Sequence, residues 1–94
     1  MPRATWNGKT IAESESVQTV DGYTYFPPES IKQEFLKSSS TTSVCPWKGK
    51  ASYFTITVEG KENPDAAWVY QEPKPEAAHI KGHVGFWQGV EVQK

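Results

Sequence analysis

The stretch Thr41-Thr42-Ser43-Val44-Cys45-Pro46-Trp47-Lys48-Gly49-Lys50-Ala51 brings a thiol, an indole and an ammonium into one short bend. Pro46 fixes its own φ and pushes Cys45 toward extended geometry. Gly49 permits a backbone conformation that residues with a Cβ resist. Such a bend can present Trp47 or Lys48 to a pocket, the indole as a stacking surface and the ammonium as a contact for an anion. Cys45 enters a strand with no second cysteine in the chain, so its expected role is that of a small buried hydrophobe.

His79 and His83 are four residues apart. That spacing suits a metal pair on a helix, but Gly82 intervenes and His83 to Trp87 alternates like a strand. Two His and one Cys fall short of a closed zinc site, so no metal is expected. A Cys–His nucleophilic pair has no supporting motif. Neither a P-loop, a dinucleotide fingerprint, a hydrolase elbow nor a kinase signature is present, and no cofactor is implied.

Aromatic residues are the richest class, with four Trp, four Tyr and four Phe. Tyr53, Trp68 and Tyr70 fall on candidate strand faces, and Trp47 on the bend beside them. Sealed, such a cluster is core; half open, it is a pocket for a planar or cationic ligand. The aromatic share of 13% also argues against disorder, because disordered chains are poor in aromatics.

The rest of the chain must position these residues. Ninety-four residues are expected to form one domain, 1–94, with one modest core. Ten basic and eleven acidic side chains give a net charge of −1 and no run of one sign. Long nucleic acid and anionic membrane surfaces both need a basic field that is missing. No apolar run marks a leader or a membrane span, and a cytoplasmic location is the default.

Turn signals dominate. Asn7-Gly8 and Asp21-Gly22 each separate two short runs of strand-forming residues, and Gln88-Gly89 stands between His83–Trp87 and Val90–Val92. A type I′ turn needs positive φ at both central residues, which these pairs supply at least cost. Evenly spaced short runs divided this way predict antiparallel sheet. Ala51 to Val58 is the longest strand candidate, with Phe54, Ile56 and Val58 on one face and Tyr53, Thr55 and Thr57 on the other. A polar connection over Glu59 to Asp65 leads to a strand over Ala66 to Gln71, where Trp68 and Tyr70 oppose Ala67 and Val69. One short helix is predicted near Ser30 to Lys37: Ser30 and Gln33 form a capping box, and Ile31, Phe35 and Leu36 share a side.

These motifs resemble a small bacterial domain-of-unknown-function family, number four hundred and twenty-seven, which carries a nucleotidyltransferase-like label. The matching pieces are Trp6-Asn7-Gly8-Lys9 with Ile11-Ala12-Glu13-Ser14, the Tyr25-Phe26-Pro27 step, and Cys45-Pro46-Trp47-Lys48-Gly49 with Ala51 and Tyr53. Ala67-Trp68-Val69-Tyr70 with Pro73 follows, then Ile80, Gly82, Val84 and Phe86. The resemblance covers nearly the whole chain and implies a mainly β fold, the β-tent: two antiparallel sheets packed at an angle with one short helix. The ligand-binding domain of cereblon-type proteins uses the same tent, with an aromatic cage and a zinc site of paired Cys-x-x-Cys elements. A chain with one Cys departs from that zinc pattern. Nor does it carry the paired metal-binding carboxylates and glycine-serine loop that nucleotidyltransferases use.

The expected function is a small-molecule-binding module with an aromatic-lined cleft built from Trp47, Lys48, Tyr53, Trp68 and Tyr70. The aromatics would stack and Lys48 would meet an anionic or carbonyl group. Two alternatives stand beside it. One is an enzyme on a nucleotide-like substrate, with Lys48 as phosphate contact and Cys45 or a histidine as reactive group. The other is a protein-interaction module with an exposed aromatic patch. No catalytic residue is assigned.

Overall fold

A computed structural model describes residues 1–94. The chain is mainly β and forms two antiparallel sheets. Nine strands run β1 (Arg3–Trp6), β2 (Lys9–Glu13), β3 (Gln18–Val20), β4 (Tyr23–Phe26), β5 (Leu36–Cys45), β6 (Gly49–Val58), β7 (Lys61–Val69), β8 (Val84–Phe86) and β9 (Glu91–Gln93). A three-stranded sheet has the order β2-β1-β9, and a six-stranded sheet the order β3-β4-β8-β7-β6-β5. No helix is long and apolar enough to cross a membrane.

The tight turns form where the sequence places them. Asn7 and Gly8 have φ of 50° and 78°, and Trp6 pairs with Lys9 across the turn. Asp21 and Gly22 have φ of 53° and 82°, and Val20 pairs with Tyr23. Glu59-Gly60 makes a third turn of this kind, at φ of 51° and 79°, with Val58 opposite Lys61. The connection predicted over Glu59 to Asp65 is therefore mostly strand: β7 begins at Lys61, five residues before the predicted start. Pro64 is tolerated there because the β6–β7 register shifts between Phe54 and Ile56 and Asp65 takes a φ of 55°; a bulge needs no ladder donor from proline.

The helix predicted near Ser30 to Lys37 is corrected. Pro28–Ser30 and Gln33–Phe35 are single 3₁₀ turns, and Leu36 already starts β5. Between the turns Ile31 is extended and bridges Ala12, while the Lys32 amide donates to the Ile11 carbonyl at 2.9 Å. The Ser30 hydroxyl donates to the Pro27 carbonyl at 2.7 Å rather than accepting from Gln33. Pairing with β2 satisfies backbone groups that an isolated two-turn helix would leave to water, and so short a helix has little stability of its own.

Gln88-Gly89 also turns, at φ of 54° and 87°, with the Val90 amide on the Trp87 carbonyl at 3.2 Å. It does not close a hairpin, however. β8 pairs with β4 and β7, whereas β9 pairs with β1. The turn carries the chain from one sheet to the other.

The main core lies between the sheets. Ala4, Ile11 and Ala12 of the small sheet meet Phe26, Ile56, Val58, Ala67, Val69, Val84 and Phe86 of the large one. Because side chains alternate along a strand, the residues between these point to the other face of the large sheet. There Tyr25, Ala51, Trp68 and Tyr70 form a second cluster with Ala77 and Ile80 of the 3₁₀ segment Pro75–Ile80. Gly85 is the β8 residue on that second face. It pairs with Tyr25 on one side and Trp68 on the other, and Trp68 pairs with Tyr53. One row therefore crosses four strands, and its only member without a side chain is Gly85.

The indole of Trp68 occupies that gap. A Cβ added at Gly85 would lie 2.7 Å from Trp68 Cζ2 and 2.8 Å from Cε2. Replacing glycine by alanine in a strand ordinarily gains about 0.5–1 kcal/mol, but overpacking against a buried ring costs about 1–3 kcal/mol. The second effect wins here because Tyr25, Tyr23 and Trp87 all pack against the indole. Gly85→Ala is expected to lower the unfolding free energy in a urea titration; a stability equal to or above the parent would show that the indole has room to shift.

Candidate functional site

Trp68 is the floor of an open cleft on the second face. Its Nε1 donates to the Tyr25 hydroxyl at 3.3 Å, reaching over Gly85 to do so. The Tyr25 ring stands at 89° to the indole with centroids 6.0 Å apart, and Tyr23 stands at 89° with centroids 5.0 Å apart. Trp87 stands at 77° and 5.7 Å. All three rings stand nearly perpendicular to the indole, the arrangement favoured by opposed aromatic quadrupoles; Tyr25 is fully buried at its rim, and Tyr23 and Trp87 are half exposed.

Two of the walls, Trp87 and Tyr53, are held from behind. Trp87 follows β8 on the same side as Gly85, and its Nε1 donates to the Asp65 carbonyl at 2.6 Å. Asp65 presents that carbonyl from the β7 bulge, and its carboxylate accepts from Thr41 Oγ1 at 2.8 Å. Tyr53 lies 6.4 Å from Trp87, and its hydroxyl shares a 2.9 Å hydrogen bond with Ser43 of β5. Tyr23 follows the Asp21-Gly22 turn and stays 41% exposed.

Lys48 closes one end. It lies in the three-residue connection Pro46-Trp47-Lys48 between β5 and β6, where Cys45 pairs with Gly49. Its carbonyl accepts from the Lys74 amide at 2.8 Å, and Lys74 Nζ donates to the Pro46 carbonyl at 2.6 Å. Gly49 has a φ of 115°, so the bend needs glycine there. The Lys48 side chain is 9% exposed, and its Nζ meets Asp21 Oδ2 at 2.9 Å. That ion pair joins the β5–β6 connection to the β3–β4 turn. Nζ also stands 5.3 Å from the Trp47 ring and 5.9 Å from the Tyr70 ring.

Both partners of this end titrate late. Burial by itself pushes the Lys48 ammonium down; the hydrogen bond it donates to Asp21, then the charges of Tyr25, Tyr70 and Asp21, push it up, and the net direction is up. Burial pushes the Tyr70 phenol up, and Lys48 pulls it part of the way back.

The cleft encloses about 160 Å³ among Tyr23, Tyr25, Lys48, Tyr53, Trp68, Tyr70 and Trp87. Of the five residues singled out from sequence, Lys48, Tyr53, Trp68 and Tyr70 meet at this cleft. Trp47 does not line it: it lies behind Lys48, 39% exposed. Tyr23, Tyr25 and Trp87 were not foreseen. Strand alternation pointed to all three, since Phe26 and Phe86 belong to the core and residues an odd number of places away face the other side.

Neither Cys45 nor a histidine lines the cleft. Cys45 is half-buried against the second cluster. His79 lies on the Pro75–Ile80 segment, and His83 Nδ1 is 3.2 Å from the Lys81 carbonyl. Nowhere do three His, Cys, Asp or Glu side chains converge in the geometry a metal needs.

Residues 2–94 match a family described as a domain of unknown function, DUF427, whose short label carries a nucleotide-transferase tag. The chain belongs to the DUF427 family. No curated protein matches it. In this DUF427 chain the match takes in every strand that builds the cleft, from β3 to β8.

Two expectations follow. Lys48 and Tyr70 both hold protons more tightly when folded, so their contribution is complete below their unfolded values and is lost as pH rises through the folded ones. Unfolding free energy should therefore fall above about pH 10. In Asp21→Asn, which keeps a residue tolerant of positive φ, the Lys48 part of that fall should shrink. Asp21→Asn should also lose about 1–2 kcal/mol at neutral pH, discounted because the carboxylate is half exposed. Equal pH profiles for parent and variant would rule out the Asp21–Lys48 pair as their source. Separately, Cys45 is half-buried where the sequence predicts a buried side chain, so Cys45→Ala should cost at most about 1 kcal/mol of stability and leave the Trp68 environment unchanged in near-ultraviolet circular dichroism.

Proposed function

We propose that this domain binds a small molecule in the cleft, using aromatic faces to hold the body of the ligand and Lys48 to hold one polar group. The observation that carries this reading is the composition of the cleft: six aromatic rings and one ion-paired ammonium around about 160 Å³ of open space. A sealed core would leave no such space, and a bare apolar patch would not need a buried lysine. Tyr53, Trp68 and Tyr70 supply floor and wall, joined by Tyr23, Tyr25 and Trp87. Trp47 acts at one remove, by covering the outer side of Lys48.

Size narrows the ligand. Drug-sized pockets run to about 300–1,000 Å³, whereas an apolar cavity of about 150 Å³ holds a single benzene. The enclosed part of this cleft therefore accepts one ring or one compact group, not a whole nucleotide. That favours a binding module over an enzyme acting on a nucleotide-like substrate.

The test is a thermal-shift and tryptophan-fluorescence screen of compounds with one ring or one compact charged group. A ligand that binds only the folded chain raises its melting temperature by mass action, and one seated on Trp68 and Trp87 changes their emission. Trp87→Ala removes a half-exposed wall rather than the buried floor. It is expected to weaken any hit at least about fivefold, in line with the about 1–3 kcal/mol measured for a nucleic-acid base stacking on one ring, while circular dichroism stays that of the parent. Hits that bind Trp87→Ala as well as the parent would place the site elsewhere.

A further inference from the structure

We infer that the ligand is a small quaternary-ammonium zwitterion, its methylated cation held by the aromatic rings and its carboxylate by Lys48. This rests on the cleft being a binding site and names the chemistry it selects.

Ring orientation comes first. A flat ligand stacks best in a slot between parallel rings. Here the two half-exposed walls, Tyr23 and Trp87, stand at 89° and 77° to the Trp68 floor. Perpendicular walls enclose a rounded group and turn several π faces or edges toward it. Such cages are the known solution for methylated ammonium, whose diffuse positive charge is attracted by ring faces and whose methyls fill the box. A compact trimethylammonium group is also within the size that about 160 Å³ admits.

The charges already present decide the rest. Lys48 is nearly buried, and of its three N–H donors one meets Asp21. It has no other hydrogen-bond partner in the chain, so its remaining donors are free for an acceptor at the cleft end. Asp21 has meanwhile cancelled the Lys48 charge. A lone anion would leave this end net negative, and a lone cation would add an unbalanced charge beside Lys48. A zwitterion keeps the sum at zero and satisfies both ends. One lining ring already faces a cation, since Nζ sits 5.9 Å from the Tyr70 ring.

Glycine betaine and 3,3-dimethylbutanoate test this as a matched pair. They share shape and carboxylate and differ in one atom, nitrogen for carbon, and so in the positive charge. Calorimetric titration of the full chain is expected to show glycine betaine binding at least about tenfold tighter than 3,3-dimethylbutanoate. Tetramethylammonium, lacking the carboxylate, should bind at least about tenfold more weakly than glycine betaine, and Lys48→Met should close that gap. Because Lys48→Met removes an ion pair, Tyr23→Leu serves as a second variant at an exposed wall: it should lower betaine affinity and leave the urea midpoint near that of the parent. Equal binding of betaine and its carbon isostere would overturn the cation assignment, and equal binding of betaine and tetramethylammonium the role of Lys48. Tight binding of indole or phenol with none of betaine would overturn the zwitterion and leave the aromatic cleft as a site for flat rings. Binding of no probe would remove both readings.

Discussion

The Trp68 indole lies across the one position of its row that has no side chain, and the second face of the large sheet is organised around that contact. The row Tyr25, Gly85, Trp68 and Tyr53 crosses β4, β8, β7 and β6. With any larger residue at 85 the indole would have to stand away from the sheet and lose the Tyr25 hydroxyl on its Nε1. Laid flat, it gives Tyr23 and Trp87 a common surface to stand against. The backbone register thus becomes side-chain geometry: because Gly85 pairs with both neighbours at once, a one-residue slip would replace the gap with Val84 or Phe86.

The Lys48–Asp21 pair has a different role. A buried ion pair is weak evidence for stability, because desolvation offsets much of the attraction. Its geometric effect is plainer. Asp21 sits on the β3–β4 turn, at one side of the large sheet, and Lys48 on the β5–β6 connection, near the other. Their contact fixes where the two ends of the sheet curl toward one another, and the cleft lies between them. The Gly49 bend and the Lys74 amide on the Lys48 carbonyl hold the lysine backbone for that contact.

Much of this was legible in the chain because it depends on local chemistry. Asn7-Gly8 and Asp21-Gly22 require positive φ and take it. Alternation set Phe54, Ile56 and Val58 against Tyr53, and Ala67 and Val69 against Trp68 and Tyr70, as the two clusters show. What was hidden depends on distant partners. The capping box at Ser30 is a sound local signal, but pairing of Ile31 with Ala12 overrides it. Pro64 argues against strand until the bulge around it is known. Gln88-Gly89 has hairpin chemistry, yet nothing local says that β9 joins β1. Trp87 follows a strand only three residues long, so its facing was easy to overlook. The meaning of Gly85 depends on knowing that Trp68 is its neighbour.

The six-stranded sheet ends on β5, and that margin is unusual. Of its ten residues only Lys37 is charged, most are serine or threonine, and Val44 is 75% exposed. A margin this long and this neutral offers its outer backbone groups as a template on which another extended chain can grow. The irregularity between Ser38 and Thr42 breaks the template near its middle, and the Ser39 and Thr41 side chains that shape it are tied to Thr41's own amide and to Asp65. The carboxylate of Asp65 thus braces that irregularity, while its carbonyl steadies Trp87. The break in the exposed edge and the wall of the cleft therefore meet in a single residue, and a change at Asp65 disturbs both.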